Sequence, residues 1–193
     1  MATLTPLSHY IELCVRPDPE VTPTHLLAAL YTHLHRALAA QGTTGIAVTF
    51  PDYSAERCTL GTRLRLHGSE AALQAWATGQ WLGSVRDHVN ATPPLPVPAD
   101  ASHRALRRVQ VKSSPERLRR RLMKRHQVSE EQARERISDN VARTTALPYA
   151  QLASGSTGQR FRLFLALGPE QTPVQSGCFN AYGLSAESTV PWF

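Results

Sequence analysis

Arg117, Arg120, Arg121, Lys124 and Arg125 recur at offsets 0, 3, 4, 7 and 8, which places them on one face of any helix that spans them. Leu118 and Leu122 supply a narrow apolar stripe able to anchor the opposite side. With a single acid, Glu116, in this stretch, the basic face repels itself by about a few tenths of a kcal/mol per close pair. A ladder of phosphates relieves that repulsion, so the pattern points to nucleic acid ahead of a merely solvated face. Imidazoles are the second source of chemistry, because histidine titrates nearest to neutral pH. His25, His33 and His35 fall in one predicted helix, but none of their spacings is the i, i+4 offset that zinc ligation from a helix would use. His35 follows the core-facing Leu34 at the edge of the apolar stripe. Taken singly, each of the eight histidines reads first as structural or surface. The hydroxyl-rich run Ser154-Gly155-Ser156-Thr157-Gly158 is either a phosphate-binding turn or an ordinary hairpin loop, and the loop is the simpler reading. Phe161, Phe164, Tyr182, Trp192 and Phe193 read as core. On an exposed strand beside a basic helix, one of them can instead stack a base.

Charge is concentrated. The chain of 193 residues has a formal net charge of +6, and 19 of its 21 basic residues are Arg. Residues 104–125 hold ten basic residues against one acid, Glu116, a net +9, whereas the rest carries −3. Such a distribution fits a polyanion-binding segment mounted on a neutral-to-acidic scaffold. Arginine suits it, since the planar guanidinium fork makes paired hydrogen bonds to phosphates and base edges that an ammonium cannot. The bulk composition, 41% hydrophobic and 19% charged, excludes a chain disordered throughout. No apolar run approaches the length of a membrane span, and residues 1–10 lack the basic start and apolar stretch of a secretory signal. Cys14, Cys58 and Cys178 are odd in number and form no C-x-x-C pair, which argues against a disulfide framework and a zinc ribbon. These features predict a soluble, reduced, cytoplasmic protein with no bound metal or other cofactor.

The elements that must position these residues are legible in outline. Residues 9–15 alternate polar and apolar, as a half-buried strand does. After prolines at 17, 19 and 23, with Thr22 or Thr24 available as cap, Leu27, Leu30, Leu34 and Leu38 mark the core stripe of a helix over 24–40 that Gly42 ends. Residues 45–50 and 62–67 read as strands, and Ser69 opens a helix through Leu73 and Trp76. Strand-helix-strand-strand-helix predicts a ferredoxin-like sandwich whose fourth strand is not placed. Residues 90–100, with four prolines, predict a domain boundary or a last strand plus linker. Beyond it come a strand over 106–111, a helix opened by Ser114-Pro115-Glu116, and a second helix from the capping box Ser129-Glu130-Glu131-Gln132 to about residue 143. Residues 149–154, 160–165 and 178–184 complete the predicted strands. The predicted fold is α+β: a ferredoxin-like (RRM-like) domain over 1–98, then a smaller C-terminal α/β domain over 99–193 bearing the arginine-rich helix.

Residues 113–126, S-S-P-E-R-L-R-R-R-L-M-K-R-H, closely resemble the arginine-rich helix of the type I-F CRISPR repeat-processing endoribonucleases. Arg16-Pro17-Asp18-Pro19-Glu20, Leu34-His35-Arg36-Ala37-Leu38, Ser156-Thr157-Gly158-Gln159, Tyr182-Gly183-Leu184-Ser185 and Val190-Pro191-Trp192-Phe193 match the same family's pattern in order. Each block alone is weak; their ordered combination is specific. The resemblance implies a metal-independent ribonuclease that cuts precursor CRISPR RNA at the 3′ base of a repeat hairpin and holds the product. The family's catalytic positions fall on His35, Ser154 and Tyr182. RNA brings its own nucleophile, the 2′-hydroxyl beside the scissile phosphate. A histidine can take that proton or protonate the 5′ leaving oxygen, a serine can hold the ribose for in-line attack, and a tyrosine can orient the imidazole or bond the phosphate. The expected products are a 2′,3′-cyclic phosphate and a 5′-hydroxyl. Arg108 and Gln110 match positions that read base edges near the foot of the stem. Arg117, Arg120, Arg121, Lys124, Arg125 and His126 fall to phosphate contacts along the groove, Phe161 to stacking near the cleavage site, and Ser156 to a backbone contact. The partners implied are the repeat hairpin, as precursor and as mature guide RNA, and the other subunits of a type I-F surveillance complex, with no membrane. Lys124 stands where the family usually has Arg, Gly155 separates the two serines, and the residues before Tyr10 match no role. The competing class is a hairpin-binding subunit without cleavage, against which the joint presence of His35, Ser154 and Tyr182 argues.

Overall fold

Strand β1 (His9–Val15) turns Ile11, Leu13 and Val15 inward, as its alternation predicts. The computed structural model describes residues 7–42, 44–110, 115–137, 146–154 and 158–193. Helix α1 (Pro23–Gln41) follows Thr22, with Pro23 in the first turn, where a missing N–H costs nothing. The Thr22 hydroxyl makes no cap bond. Leu27, Leu30, Tyr31, Leu34 and Leu38 are buried on one stripe, and Gly42, at φ 61°, returns its N–H to the Leu38 carbonyl. Strands β2 (Ala47–Thr49) and β3 (Arg63–Gly68) pair antiparallel, and β1 pairs β3 with Leu13 opposite Leu64. Helix α2 (Glu70–Ala77) is capped by Ser69, whose hydroxyl accepts the Ala72 N–H. A 3₁₀ segment, Gln80–His88, kinks at Gly83 and delivers β4 (Val89–Ala91) to the free side of β1, so the missing fourth strand starts just before the proline-rich stretch. Strand β5 (Leu95–Pro96) adds a short pairing to β1. The order is β2-β3-β1-β4, antiparallel throughout.

A second antiparallel sheet has the order β7-β8-β6-β9, from β6 (Ser102–Val109), β7 (Tyr149–Ala153), β8 (Arg160–Glu170) and β9 (Val190–Trp192). Strand β8 runs five residues past the predicted end at 165 because β6 partners it from Phe164 onward, with Val109 opposite Phe164 and Arg104 opposite Glu170. Residues 178–184 correct the sequence reading: they are a loop. The Asn180 carboxamide oxygen accepts the N–H groups of both Tyr182 and Leu184, and Gly183 adopts φ 69°. That side chain satisfies donors which a strand would need a neighbour to satisfy. Strand β9, which pairs β6, has no counterpart in the sequence reading.

One hydrophobic cluster joins both sheets through α1, from Leu13 and Leu64 to Leu152, Leu163 and Leu165. His67 sits inside the fold with Thr49 Oγ1 2.9 Å from its Nε2. Burial, reinforced by the Arg65 charge, drives its pKa down to about 3, so this histidine stays neutral and structural. The chain divides into two compact units, Met1–Val109 with Leu147–Phe193, and Gln110–Ala146. In the second, α3 (Pro115–His126) packs on α4 (Glu130–Arg136), burying Ala133. The predicted cap Ser114 lies outside the described residues. Ser129 and Gln132 form the predicted capping box. The helix ends seven residues earlier than the predicted 143, because Ile137 turns extended (φ −126°, ψ 95°) and its carbonyl takes two hydrogen bonds from the Arg119 guanidinium, at 2.9 and 2.7 Å. No helix among the described residues is long and apolar enough to cross a membrane.

Candidate active site and nucleic-acid interface

The predicted site residue His35 lies one position past buried Leu34 and is itself half-buried. Its ring stacks on Tyr182, with centroids 3.9 Å apart and planes within 7°. Its Nδ1 is 2.8 Å from the Ala181 carbonyl. A carbonyl only accepts, so Nδ1 carries the hydrogen and Nε2 is left to exchange a proton. Both neighbours come from the 180–184 loop, which is pinned on two sides. The Tyr31 hydroxyl, one helical turn before His35, donates to the Tyr182 carbonyl at 2.9 Å. Gly183 accepts the Val48 N–H at 2.8 Å and lies so close to β2 that a Cβ there would come within 2.4 Å of Val48 Cγ2. Burial holds the Tyr31 phenol well above its ordinary pKa, with a further push from Tyr182, so it remains a donor.

Two of the predicted binding residues join this cluster. The exposed Arg108 guanidinium, near the end of β6, stands 5.6 Å from the Tyr182 ring and 5.9 Å from the Phe161 ring. Such cation–π contacts hold a long side chain in place while leaving its donors usable. Ser154 is placed at the end of β7, where its N–H bonds to the Gln159 carbonyl and its carbonyl accepts from Gly158, at 2.9 Å each. Strands β7 and β8 pair antiparallel on either side of this run, with Ala153 opposite Arg160, and residues 155–157 lie outside the described residues. Ser156 lies outside the described residues.

In the other unit, Gln110 is exposed. Arg120, Arg121, Lys124, Arg125 and His126 are exposed along α3, while Leu118 and Leu122 are half-buried. Arg117 occupies the same helix. Arg119, at the offset that leaves the basic face, spends its guanidinium on Ile137 instead.

Sequence reasoning missed Tyr31 and the Ala181 carbonyl. The signal for the first was present: Tyr31 is four residues before His35 and shares its helix face. Tyr31→Phe is expected to lower the unfolding free energy by about 1 kcal/mol, the net worth of one such hydrogen bond, measured as a shifted urea midpoint at constant slope. An unchanged midpoint would show that the loop does not depend on this tie.

Residues 10–193 match the family model described as CRISPR-associated protein (Cas_Csy4). A CRISPR-associated endonuclease Cas6/Csy4 from Pseudomonas aeruginosa (strain UCBPP-PA14) is 50% identical over 187 residues, 97% of this chain and 100% of that protein. One of the same description from Escherichia coli (strain UTI89 / UPEC) is 43% identical over the same shares. The matches span nearly the whole chain, which therefore belongs to the Csy4 family of CRISPR-associated proteins.

Proposed function

We propose that this chain is a metal-independent endoribonuclease that recognises a CRISPR repeat stem-loop, cuts precursor CRISPR RNA at the 3′ base of the hairpin and stays bound to the mature guide RNA. The observation that carries the reading is the His35 imidazole, stacked on Tyr182 and tied through Nδ1 to Ala181, with Arg108 5.6 Å from that same Tyr182 ring. The printed names of the relatives, CRISPR-associated endonucleases, support the same activity. So does the scaffold: the strand-helix succession and the antiparallel order β2-β3-β1-β4 support a ferredoxin-like (RRM-like) domain. The proposed division is one of labour, with the catalytic histidine in residues 1–98 and hairpin binding, including the arginine-rich helix, in residues 99–193. The chain would act as one subunit of a type I-F surveillance complex.

In the proposed reaction the 2′-oxygen attacks the scissile phosphorus in line and the bond to the 5′ oxygen breaks. The 2′-hydroxyl proton passes to Nε2 of His35, the lone pair left free by the Nδ1–H bond. The departing 5′ oxygen takes up a proton from water, giving a 2′,3′-cyclic phosphate and a 5′-hydroxyl. Ser154 holds the ribose, and Tyr182 keeps the imidazole in plane. Arg108 and Gln110 read base edges at the stem foot, which a short A-form hairpin exposes at its end. Phe161 stacks beside the cleavage point, Ser156 contacts the backbone, and Arg117, Arg120, Arg121, Lys124, Arg125 and His126 line up phosphates.

No step of this scheme is assigned to a metal ion, so cleavage of the cognate repeat is expected to proceed at full rate in excess EDTA and to leave the cyclic phosphate end. A single-turnover time course with end-group analysis checks this. Activity lost on chelation and restored by Mg²⁺ or Mn²⁺ would overturn the mechanism, and tight binding without cleavage would overturn the enzymatic reading.

A further inference from the structure

Strand β7 is an edge of its sheet, and α1 runs beside it. Between them lies a groove of about 350 Å³, with His25 and Thr32 on the α1 side and Gln151, Ala153 and Arg160 on the hairpin side. A seam between a helix and a strand is ordinarily closed by apolar side chains. This one is rimmed by polar groups with little to do inside the protein. The side chains of His25, Gln151 and Arg160 have no hydrogen-bond or ion-pair partner among the described residues, and no carboxylate lines the groove. Thr32 donates its hydroxyl to the Ala28 carbonyl at 2.8 Å, which leaves its oxygen free to accept.

The groove's position gives it a meaning. Thr32 is one helical turn before His35 on the same side of α1, and Ala153 immediately precedes Ser154. Two of the groove's lining residues are thus close neighbours in the chain of proposed catalytic residues. Arg108, Phe161 and Tyr182, the group assigned to the stem foot, are not among its lining residues. A phosphodiester cut inside a longer RNA has chain on both sides, and the stem accounts for only one of them.

We propose that this groove binds the single-stranded RNA immediately 3′ of the scissile phosphate. Arg160 pairs with the first downstream phosphate, Gln151 and Thr32 bond the base edge or ribose hydroxyl of that nucleotide, and His25 closes the far end. The volume is on the scale of one nucleotide. The inference rests on the endoribonuclease reading and extends it from the hairpin to its 3′ flank.

The test uses two repeat RNAs with a 2′-deoxy sugar on the 5′ side of the scissile phosphate, which removes the nucleophile. One ends at that phosphate, and the other continues for four unpaired nucleotides. The quantity read is the ratio of their dissociation constants for each protein at low salt. The parent is expected to bind the extended RNA about 3- to 10-fold more tightly, with a salt slope steeper by about 0.7 for one added single-strand phosphate contact. Arg160→Ala should bring the ratio below twofold and remove the added slope, and Gln151→Ala should reduce the ratio partly. Arg162→Ala, two residues along β8 with its guanidinium 4.8 Å from the Tyr149 ring, removes the same charge and should keep the parent ratio. A ratio of one in the parent, or an equal loss from Arg160→Ala and Arg162→Ala, overturns the groove assignment. If the all-ribose hairpin is bound and cut while the ratio is one, the groove alone falls. If that hairpin is neither bound nor cut, the endoribonuclease reading falls and takes the groove with it.

Discussion

His35→Ala is expected to slow single-turnover cleavage of a repeat hairpin about 10²–10⁴-fold, the usual contribution of a positioned proton-transfer group, while hairpin affinity changes less than about twofold. The separation follows from where the groups sit. Nδ1 of His35 is occupied by the Ala181 carbonyl and its ring face by Tyr182, so Nε2 is the part of this side chain left for the RNA. Affinity is assigned elsewhere, to α3 and to Arg108 and Gln110. His33 supplies the control. Two positions along α1, it packs against Gly83 and lies 3.5 Å from the Ser84 hydroxyl, away from the 180–184 loop. His33→Ala should leave both rate and affinity near the parent values. Paired binding isotherms and time courses on one RNA decide the matter, and parental cleavage by His35→Ala would make His35 a structural histidine like His67.

The second large effect is a contrast between two kinds of arginine. Arg121 and Arg125 are one turn apart and exposed on α3, where the proposed contacts are phosphates. Their double replacement by alanine should weaken binding about 10-fold per residue near 0.1 M salt and lower the slope of log K against log salt by about 1 per contact, because each pairing releases a condensed counterion. The loss should be the same for every hairpin. Arg108 is steadied by Tyr182 and Phe161, and a fixed guanidinium reads a base edge through two bonds. Arg108→Ala should cost about 1–3 kcal/mol on the cognate repeat and much less on a repeat altered at the foot of the stem. Equal weakening of both RNAs by Arg108→Ala would erase the distinction.

Local patterns carried most of the first sheet. The alternation over 9–15, the leucine stripe of α1, the Gly42 stop and the Ser69 cap are all properties of a few neighbouring residues, and each appears as read. The missed strands and strand ends share one cause. Strand β4 is three residues long and needs β1 beside it; β8 continues because β6 accompanies it; β9 exists only as a partner of β6. Pairing across long sequence separations leaves no period for a local reading to find. In the 178–184 stretch, strand-like residues yielded to one Asn side chain and one glycine, and α4 stopped where Arg119, from the neighbouring helix, captured a carbonyl.

By itself the sequence determined that the chain carries a basic helical face, that His35 borders the core stripe of its helix, and that the ordered blocks are those of one family. Residue type, spacing and net charge suffice for those statements, since each concerns either a single element or a comparison of strings. Only the tertiary structure decided which of His35 and His67 is walled in. His67 is walled in and neutral, whereas His35 has one nitrogen anchored and one left over. That choice depends on Ala181 and Tyr182 arriving from 146 and 147 residues away in the chain, held by a buried hydroxyl and a glycine. Imidazole chemistry is set by what surrounds the ring, and the surroundings exist only once the chain has folded.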